Sequence, residues 1–192
     1  MVENPFFPSG KGLKQSELLK QQAAKRGGIL HKRKMPFATP YISFIYHGMS
    51  IEVEYQKNRE YDSLLGDSIT KVKTKFSKSI VKKFVVCYRD MIFSEMQGGI
   101  IGIKEIKNNR AFEEKLLVKC TDENFASDIL TADIQRRLIE LSEQNYYPII
   151  KIIGDNFSLI IPYNRLESED EYDLLINTAF MFLDRLRLLG YI

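Results

Sequence analysis

The sequence has no tryptophan, and only two histidines and two cysteines among its 192 residues. Catalytic triads and Cys-His pairs need a histidine that moves protons near neutral pH, and zinc sites need Cys and His at short spacing. His31 and His47 stand apart from each other and from Cys87 and Cys120, and no G-x-S-x-G motif occurs. We therefore predict no catalytic residues and no metal site.

The glycine-rich segments lack the sequence context of a phosphate-binding loop. The stretch from Gly98 to Gly102 leads into a predicted strand, although a phosphate loop should open a helix. The segment Gly10-Lys11-Gly12 lacks the rest of a Walker motif. The sequence predicts no bound cofactor.

Long hydrophobic runs are absent. A helix needs about 20 consecutive apolar residues to span a bilayer, and the apolar run that begins near Ile149 is interrupted by Lys151. The first residues lack the basic-then-apolar order of a secretory signal. Cys87 and Cys120 lie in apolar, strand-like runs, which favours buried, reduced thiols. Together these features predict a cytoplasmic protein.

Charge is distributed unevenly along the chain. Residues 1–35 contain eight Lys or Arg and two acidic residues, whereas residues 121–192 contain six and thirteen. The candidate anion-binding residues are Lys25, Arg26, Lys32, Arg33 and Lys34. Two interpretations are open: this basic segment binds nucleic-acid phosphates or anionic lipid headgroups, or it docks on the acidic C-terminal third.

The first 35 residues are interpreted as a basic N-terminal arm, and residues 36–192 as a single domain. Within the arm, residues 13–26 have a thin apolar stripe, with Ser16 as the candidate N-cap and Gly27-Gly28 as the end of a helix. Such a helix is not stable alone in water, so it either packs on the domain or frays.

From Pro36 the hydrophobic period becomes two, which is typical of strands. A hairpin is predicted from Tyr41–Tyr46 and residues 50–56, with a turn at residues 47–49. Glu52 and Glu54 occupy one face of its second strand and are expected to lie across from lysines of the next strand. Further strands are predicted at residues 69–76, 83–88, 91–95, 100–106 and 115–120, and their short connections favour antiparallel pairing.

The C-terminal part is predicted to form a helix-hairpin-helix unit. Asp122 and Thr131 are placed to cap two helical segments, and a hairpin is expected to turn at Gly154-Asp155-Asn156. Ser168 and Glu171 form a capping box before a long amphipathic helix. The predicted fold is α+β: an antiparallel sheet of several short strands followed by this unit, with the basic N-terminal arm in front.

The segment Gly48–Tyr55 and a downstream string of apolar residues resemble a family of uncharacterised bacterial proteins. The string includes Phe112, Leu117-Val118-Lys119, Asp122, Ala126, Ile129-Leu130-Thr131, Leu138 and Leu141. The resemblance runs from about Pro36 to the C-terminus and involves mainly core positions. It implies a bacterial source and brings no assigned activity.

The resulting functional hypothesis is a non-catalytic interaction or scaffold domain of the bacterial cytoplasm that binds another protein. The alternative is a nucleic-acid or anionic-membrane binder that acts through the basic N-terminal arm. A small enzyme with an unrecognised site is the third hypothesis. A homo-oligomer is compatible with each of them.

Overall fold

The computed structural model describes residues 10–32, 39–57, 68–89, 104–105, 110–162 and 166–192. The described helices are α1 (Gly10–Lys25), α2 (Arg110–Lys115), α3 (Glu123–Ile129), α4 (Ala132–Glu143) and α5 (Glu169–Leu188). The described strands are β1 (Ile29–His31), β2 (Tyr41–Tyr46), β3 (Met49–Lys57), β4 (Ser68–Tyr88), β5 (Lys104–Glu105), β6 (Leu116–Cys120) and β7 (Ile149–Pro162).

These strands form one antiparallel sheet in the order β1-β2-β3-β4-β6-β5, and β7 pairs with β4 outside this path. β3 pairs with the first part of β4 and β6 with its last part, whereas β7 pairs along nearly its whole length. β3 and β6 therefore lie end to end along one edge of β4, and β7 lies along the other. The predicted α+β fold with an antiparallel sheet is confirmed.

The hairpin predicted at Gly154-Asp155-Asn156 is wrong. The chain continues through these residues as the single strand β7, and Asn156 lies opposite Lys75 while Gly154 lies opposite Ile80. Gly154 adopts a positive φ of 63°, which glycine tolerates without steric cost. The turn-like sequence thus marks an irregularity within a strand, where the register with β4 shifts.

β4 is one continuous strand, although the sequence analysis predicted two separate strands, at residues 69–76 and 83–88. From Lys75 to Ile80 it advances five residues while β7 covers only the two steps from Asn156 to Gly154. The extra residues bulge out of the ladder. A second register shift follows between Ile80 and Phe84, and Val81 in that interval is 93% exposed. Because the bulge interrupts the period of two, a continuous strand could not be recognised from alternation alone.

All five described helices cover the same face of the sheet. Side chains that alternate onto this face include Ile42, Val53, Val72 and Leu159. They share one buried cluster with residues from each of the five described helices. We call this side the covered face. It contains the main hydrophobic core, so burial of the helix stripes against the sheet holds the two layers together.

The helix caps follow the sequence closely. Asp122 accepts a hydrogen bond from the Phe125 backbone N–H at α3, and Thr131 accepts one from Ile134 at α4. At α5, Ser168 and Glu171 form the predicted capping box. α2 was not predicted, because its six residues are too few to show a helical period.

The described part of the predicted basic N-terminal arm is built into the domain. Leu18, Leu19 and Ala23 of α1 are buried in the main core, and β1 pairs with β2. Gln15 donates a hydrogen bond to the Leu166 carbonyl at 2.5 Å and accepts one from the Tyr172 hydroxyl at 2.6 Å. Ser16 lies inside α1 and is not its N-cap, since the helix starts at Gly10.

Several sequence predictions fall outside the described residues. They are the division between arm and domain at residues 35 and 36, the strand at residues 91–95, most of the strand at residues 100–106, and the turns at Gly98-Gly99 and Asn108-Asn109. Lys104–Glu105 is the part of the predicted 100–106 strand that the structure describes, and it pairs with β6.

Truncation of Leu183 should destabilise the protein strongly. Its side chain is fully buried in α5, and a Leu183→Ala change should lower the free energy of unfolding by about 2–5 kcal/mol. Leu188→Ala on the same helix is the matched control, because Leu188 is 76% exposed. Denaturant melts of both variants measure the difference, and equal stability would show that α5 is not a core element.

Candidate interaction surface

The sheet has a second face on which no described helix packs, and we call it the open face. Alternation places Ser43, Glu52, Lys73 and Ser158 on it, in cross-strand register. A small apolar cluster of Val85, Cys87 and Ile149 is also on this side, apart from the main core. The described helices therefore leave the open face of the sheet uncovered.

Ion pairs run across the middle of the open face. Lys73 Nζ lies 3.1 Å from Glu52 Oε2 and 3.4 Å from Glu54 Oε1, so the glutamates of β3 meet a lysine of β4 as predicted. Lys71 lies opposite Glu54 in the register. We call these four residues the charged strip. Opposite charges on paired strands stabilise the sheet modestly and fix the positions of the side chains.

The charged strip affects its two lysines differently. Burial lowers the pKa of Lys71, and attraction to Glu54 opposes this, while Lys73 and Lys151 add repulsion. For Lys73, burial also acts to lower the pKa, but hydrogen bonds and attraction from Glu52 and Glu54 outweigh it and raise the pKa. The centre of the strip is thus a mixed, internally paired surface, not a purely cationic one.

Exposed apolar side chains lie at the outer edge of the open face, on β1 and β2. Ile29 is 63% exposed and Ile45 is 67% exposed, and both alternate onto this face. The rings of His31 and Tyr41 stack beside them, with centroids 4.5 Å apart. The sequence analysis missed this group, because an exposed isoleucine looks like a core residue until the strand order shows that no neighbour covers it.

Two of the predicted anion-binding residues, Lys25 and Arg26, are paired with acidic residues of α5. Arg26 Nη2 lies 2.6 Å from Asp173 Oδ1, and Lys25 Nζ lies 2.5 Å from Asp173 Oδ2 and 3.4 Å from Glu169. Both cations therefore hold α1 on the start of α5. Lys32 is exposed at the end of β1, and Arg33 and Lys34 lie outside the described residues.

Burial and the ion pairs act in opposite directions on Asp173. Burial acts to raise its pKa, but hydrogen bonds from Lys25 and Arg26 outweigh burial and hold the pKa below its usual range. The Arg26 guanidinium also lies 5.9 Å from the centroid of the Phe44 ring. The contact thus joins α1, α5 and β2.

Among the described residues, His31 and His47 each have one polar side-chain partner. His31 Nε2 lies 2.7 Å from Ser43 Oγ, on the open face. A serine nucleophile needs a histidine that a third group orients, and none of the described carboxylates hydrogen-bonds His31. His47 Nε2 lies 3.4 Å from Asp184 at the β2–β3 turn.

A shallow pocket of about 450 Å³ lies between the β2–β3 turn, the bulge of β4 and the end of α5. The ionisable residues that line it are His47, Lys75 and Arg187. Lys75 is 3.0 Å from Asp155, which lies outside the lining. Among the described residues that line it, none has a carboxylate or thiol side chain for acid-base or nucleophilic chemistry.

Within the described ranges, no group of three or more His, Cys, Asp or Glu residues is placed to hold a metal ion. The same part of the chain contains no helix that is both long and apolar enough to cross a membrane. Both cysteines are free and buried, as predicted.

Comparison with known proteins gives one informative result. No family model and no curated protein matches the sequence. A crystal structure of the mycobacterial trehalose monomycolate transport factor A, TtfA, is similar in fold, with a TM-score of 0.60 and 12% sequence identity. The likeness covers 94% of this chain and 96% of that one, and at this identity it shows a shared fold alone.

Replacement of Asp173 should weaken the attachment of α1. Asp173→Asn removes two ion pairs from a partly buried site, and we expect a loss of about 1–2 kcal/mol in the free energy of unfolding at pH 7. Because the folded-state pKa of Asp173 is depressed, this stability is present above the unfolded-state value near 3.8 and is lost as the pH falls further.

Thermal or denaturant melts between pH 7 and pH 3 test this expectation. The difference between the parent and Asp173→Asn should narrow as the pH falls below about 4. Asp170→Asn is the control, since Asp170 is exposed on the same helix turn. A constant difference across the pH range would contradict the role of the ion pairs.

Both thiols should react slowly in the folded protein. Burial raises the pKa of Cys87 to about 11 and also raises that of Cys120, so little reactive thiolate is present at neutral pH. Labelling with a thiol reagent should be slow without denaturant and fast with it. Rapid labelling of the folded protein, or a Cys87–Cys120 disulfide in intact-mass measurements, would contradict this expectation.

Proposed function

We propose that the chain is a non-catalytic interaction domain of the bacterial cytoplasm that binds another protein through the open face of its sheet. The observation that carries the proposal is the contrast between the two faces. Every described helix packs on the covered face, whereas the open face presents the charged strip beside exposed Ile29 and Ile45.

The composition of the open face favours a protein partner. Charges of both signs lie next to each other in the charged strip, and a polyanion would meet Glu52 and Glu54 as well as the lysines. Protein interfaces commonly combine exposed apolar and aromatic side chains with a polar rim. Ile45, Tyr41 and the charged strip offer that combination on one rigid sheet.

The other two hypotheses receive less support. Binding of nucleic acid or an anionic membrane by Lys25, Arg26, Lys32, Arg33 and Lys34 competes with the ion pairs that Lys25 and Arg26 make to α5. An enzyme would need a pocket with convergent acid-base groups, and the side chains that line the shallow pocket near His47 include no carboxylate. The structural likeness to a transport factor agrees with a binding role.

A matched pair of charge insertions tests the proposal. Ile45→Arg places a cation on the open face, and Leu188→Arg places the same cation at an equally exposed aliphatic position of the helix layer. Affinity capture from the source bacterium should retain the partner with Leu188→Arg and lose it with Ile45→Arg. Both variants should have the same melting temperature as the parent protein, because neither of the replaced side chains is buried.

Capture that is equally efficient with both variants would contradict a role for the open face. Loss of the partner with Leu188→Arg alone would place binding on the helix layer instead. Binding of DNA, RNA or anionic vesicles that weakens steeply with salt would favour the alternative function.

A further inference from the structure

The outer edge of β1, beside exposed Ile29 and Ile45, has the features of a site at which another strand could join the sheet. β1 lies at one end of the sheet order, and no strand of the described residues pairs with its outer side. Unpaired backbone groups at a sheet edge are a template for another strand. Building on the proposed function, we infer that an extended segment of a partner protein adds to the sheet beside β1.

The side chains next to this edge favour an extended apolar segment. Ile29 lies opposite Ser43, and Ile45 is two residues farther along β2 on the same face, so the two isoleucines are diagonal neighbours roughly 7–8 Å apart. An added strand would place alternate side chains next to Ile29 and His31. Valine or isoleucine at those positions would cover the exposed apolar surface.

A glycine fixes the position of β1 relative to β2. A Cβ on Gly28 would lie 2.6 Å from the Ser43 carbonyl oxygen and 2.9 Å from the Cβ of Phe44. The backbone therefore approaches β2 more closely at this point than any other residue allows. On its inner side, Leu30 packs against the main core under α1. The edge is thus held rigidly, which lowers the entropic cost of adding a strand.

The positive charge of Lys32 next to β1 indicates that the partner segment contains an acidic residue. Lys32 directly follows β1 and is exposed, and it has no ion-pair partner among the described residues. Lys25 and Arg26, before the strand, are already paired with Asp173. An acidic residue at one end of the added segment would pair with Lys32.

This requirement disfavours a second copy of the chain as the occupant. Antiparallel pairing of two β1 strands would bring together residues 28–32 of each chain, and that stretch contains no acidic residue. It would instead bring Lys32 toward the basic start of the other strand. The partner segment is therefore apolar at alternate positions, acidic at one end, and different from β1.

Short capped peptides of alternating threonine and valine test the inference directly. One set carries two aspartates at the N- or C-terminal end, and a control set carries two lysines there. The full chain is titrated with each peptide while its amide chemical shifts are monitored by NMR. The aspartate peptides should bind more tightly than the lysine peptides. The shifts should be largest at residues 28–32 and should be accompanied by slower hydrogen exchange in β1.

Three variants of the full chain complete the experiment. Ile29→Ser should weaken binding of the aspartate peptides roughly tenfold. Lys32→Glu should reverse the preference between aspartate and lysine peptides. Val81→Ser is the matched control, because Val81 is an exposed strand residue far from β1 in the sheet, and this change should leave binding unaltered.

Some results would overturn the inference and leave the proposed function intact. They are an absence of peptide binding at millimolar concentration, shifts centred elsewhere on the open face, or equal binding by the parent and Ile29→Ser. A dimer of the parent that dissociates in Ile29→Ser would show that a second copy occupies the edge. The proposed function fails separately, if Ile45→Arg leaves partner capture unchanged.

Discussion

β4 and β7 run antiparallel for most of their lengths, and the rest of the structure is arranged around this pair. β4 also pairs with β3 and β6 along its other edge, so it connects the two halves of the sheet. The register of each neighbouring strand with β4 determines which of its side chains point toward the helices. Because a slip of one residue would exchange the two faces, the register of β4 determines both the core and the open face.

The two faces result from one alternation but serve different purposes. On the covered face, Val72 and Phe84 share the main buried cluster with the apolar stripe of α5. The position of α5 is supported by its capping box and by the ion pairs to α1. On the other face, the same alternation exposes Lys71 and Lys73 to the glutamates of β3. A partner that binds the open face would therefore meet side chains whose positions are already held by the sheet.

Local signals were sufficient for the elements with strong caps or tight turns. The β2–β3 hairpin was predicted with its turn at residues 47–49. In the structure the turn consists of His47 and Gly48, which both adopt a positive φ, and Met49 already belongs to β3. The α5 boundary was predicted from Ser168 and Glu171, which act within one turn of helix.

Signals that depend on distant parts of the chain were misread or missed. Gly154-Asp155-Asn156 has the composition of a turn, and only its pairing with Lys75 and Ile80 of β4 makes it part of a strand. The site at β1 was missed for the same reason. Exposure of Ile29 and Ile45 follows from the end of the strand order, which no local pattern in the sequence contains.

The separation of β4 and β7 along the chain has a consequence for biosynthesis. The ribosome releases Ser68–Tyr88 well before Ile149–Pro162, so one whole edge of β4 has no partner during translation. An unpaired apolar strand readily associates with other nascent chains, and charged residues along it oppose such contacts. β4 contains six lysines: Lys71, Lys73, Lys75, Lys78, Lys82 and Lys83. Until Ile149–Pro162 has been made, these lysines disfavour pairing of the open edge of β4 with another copy, because lysine on an edge strand opposes edge-to-edge association.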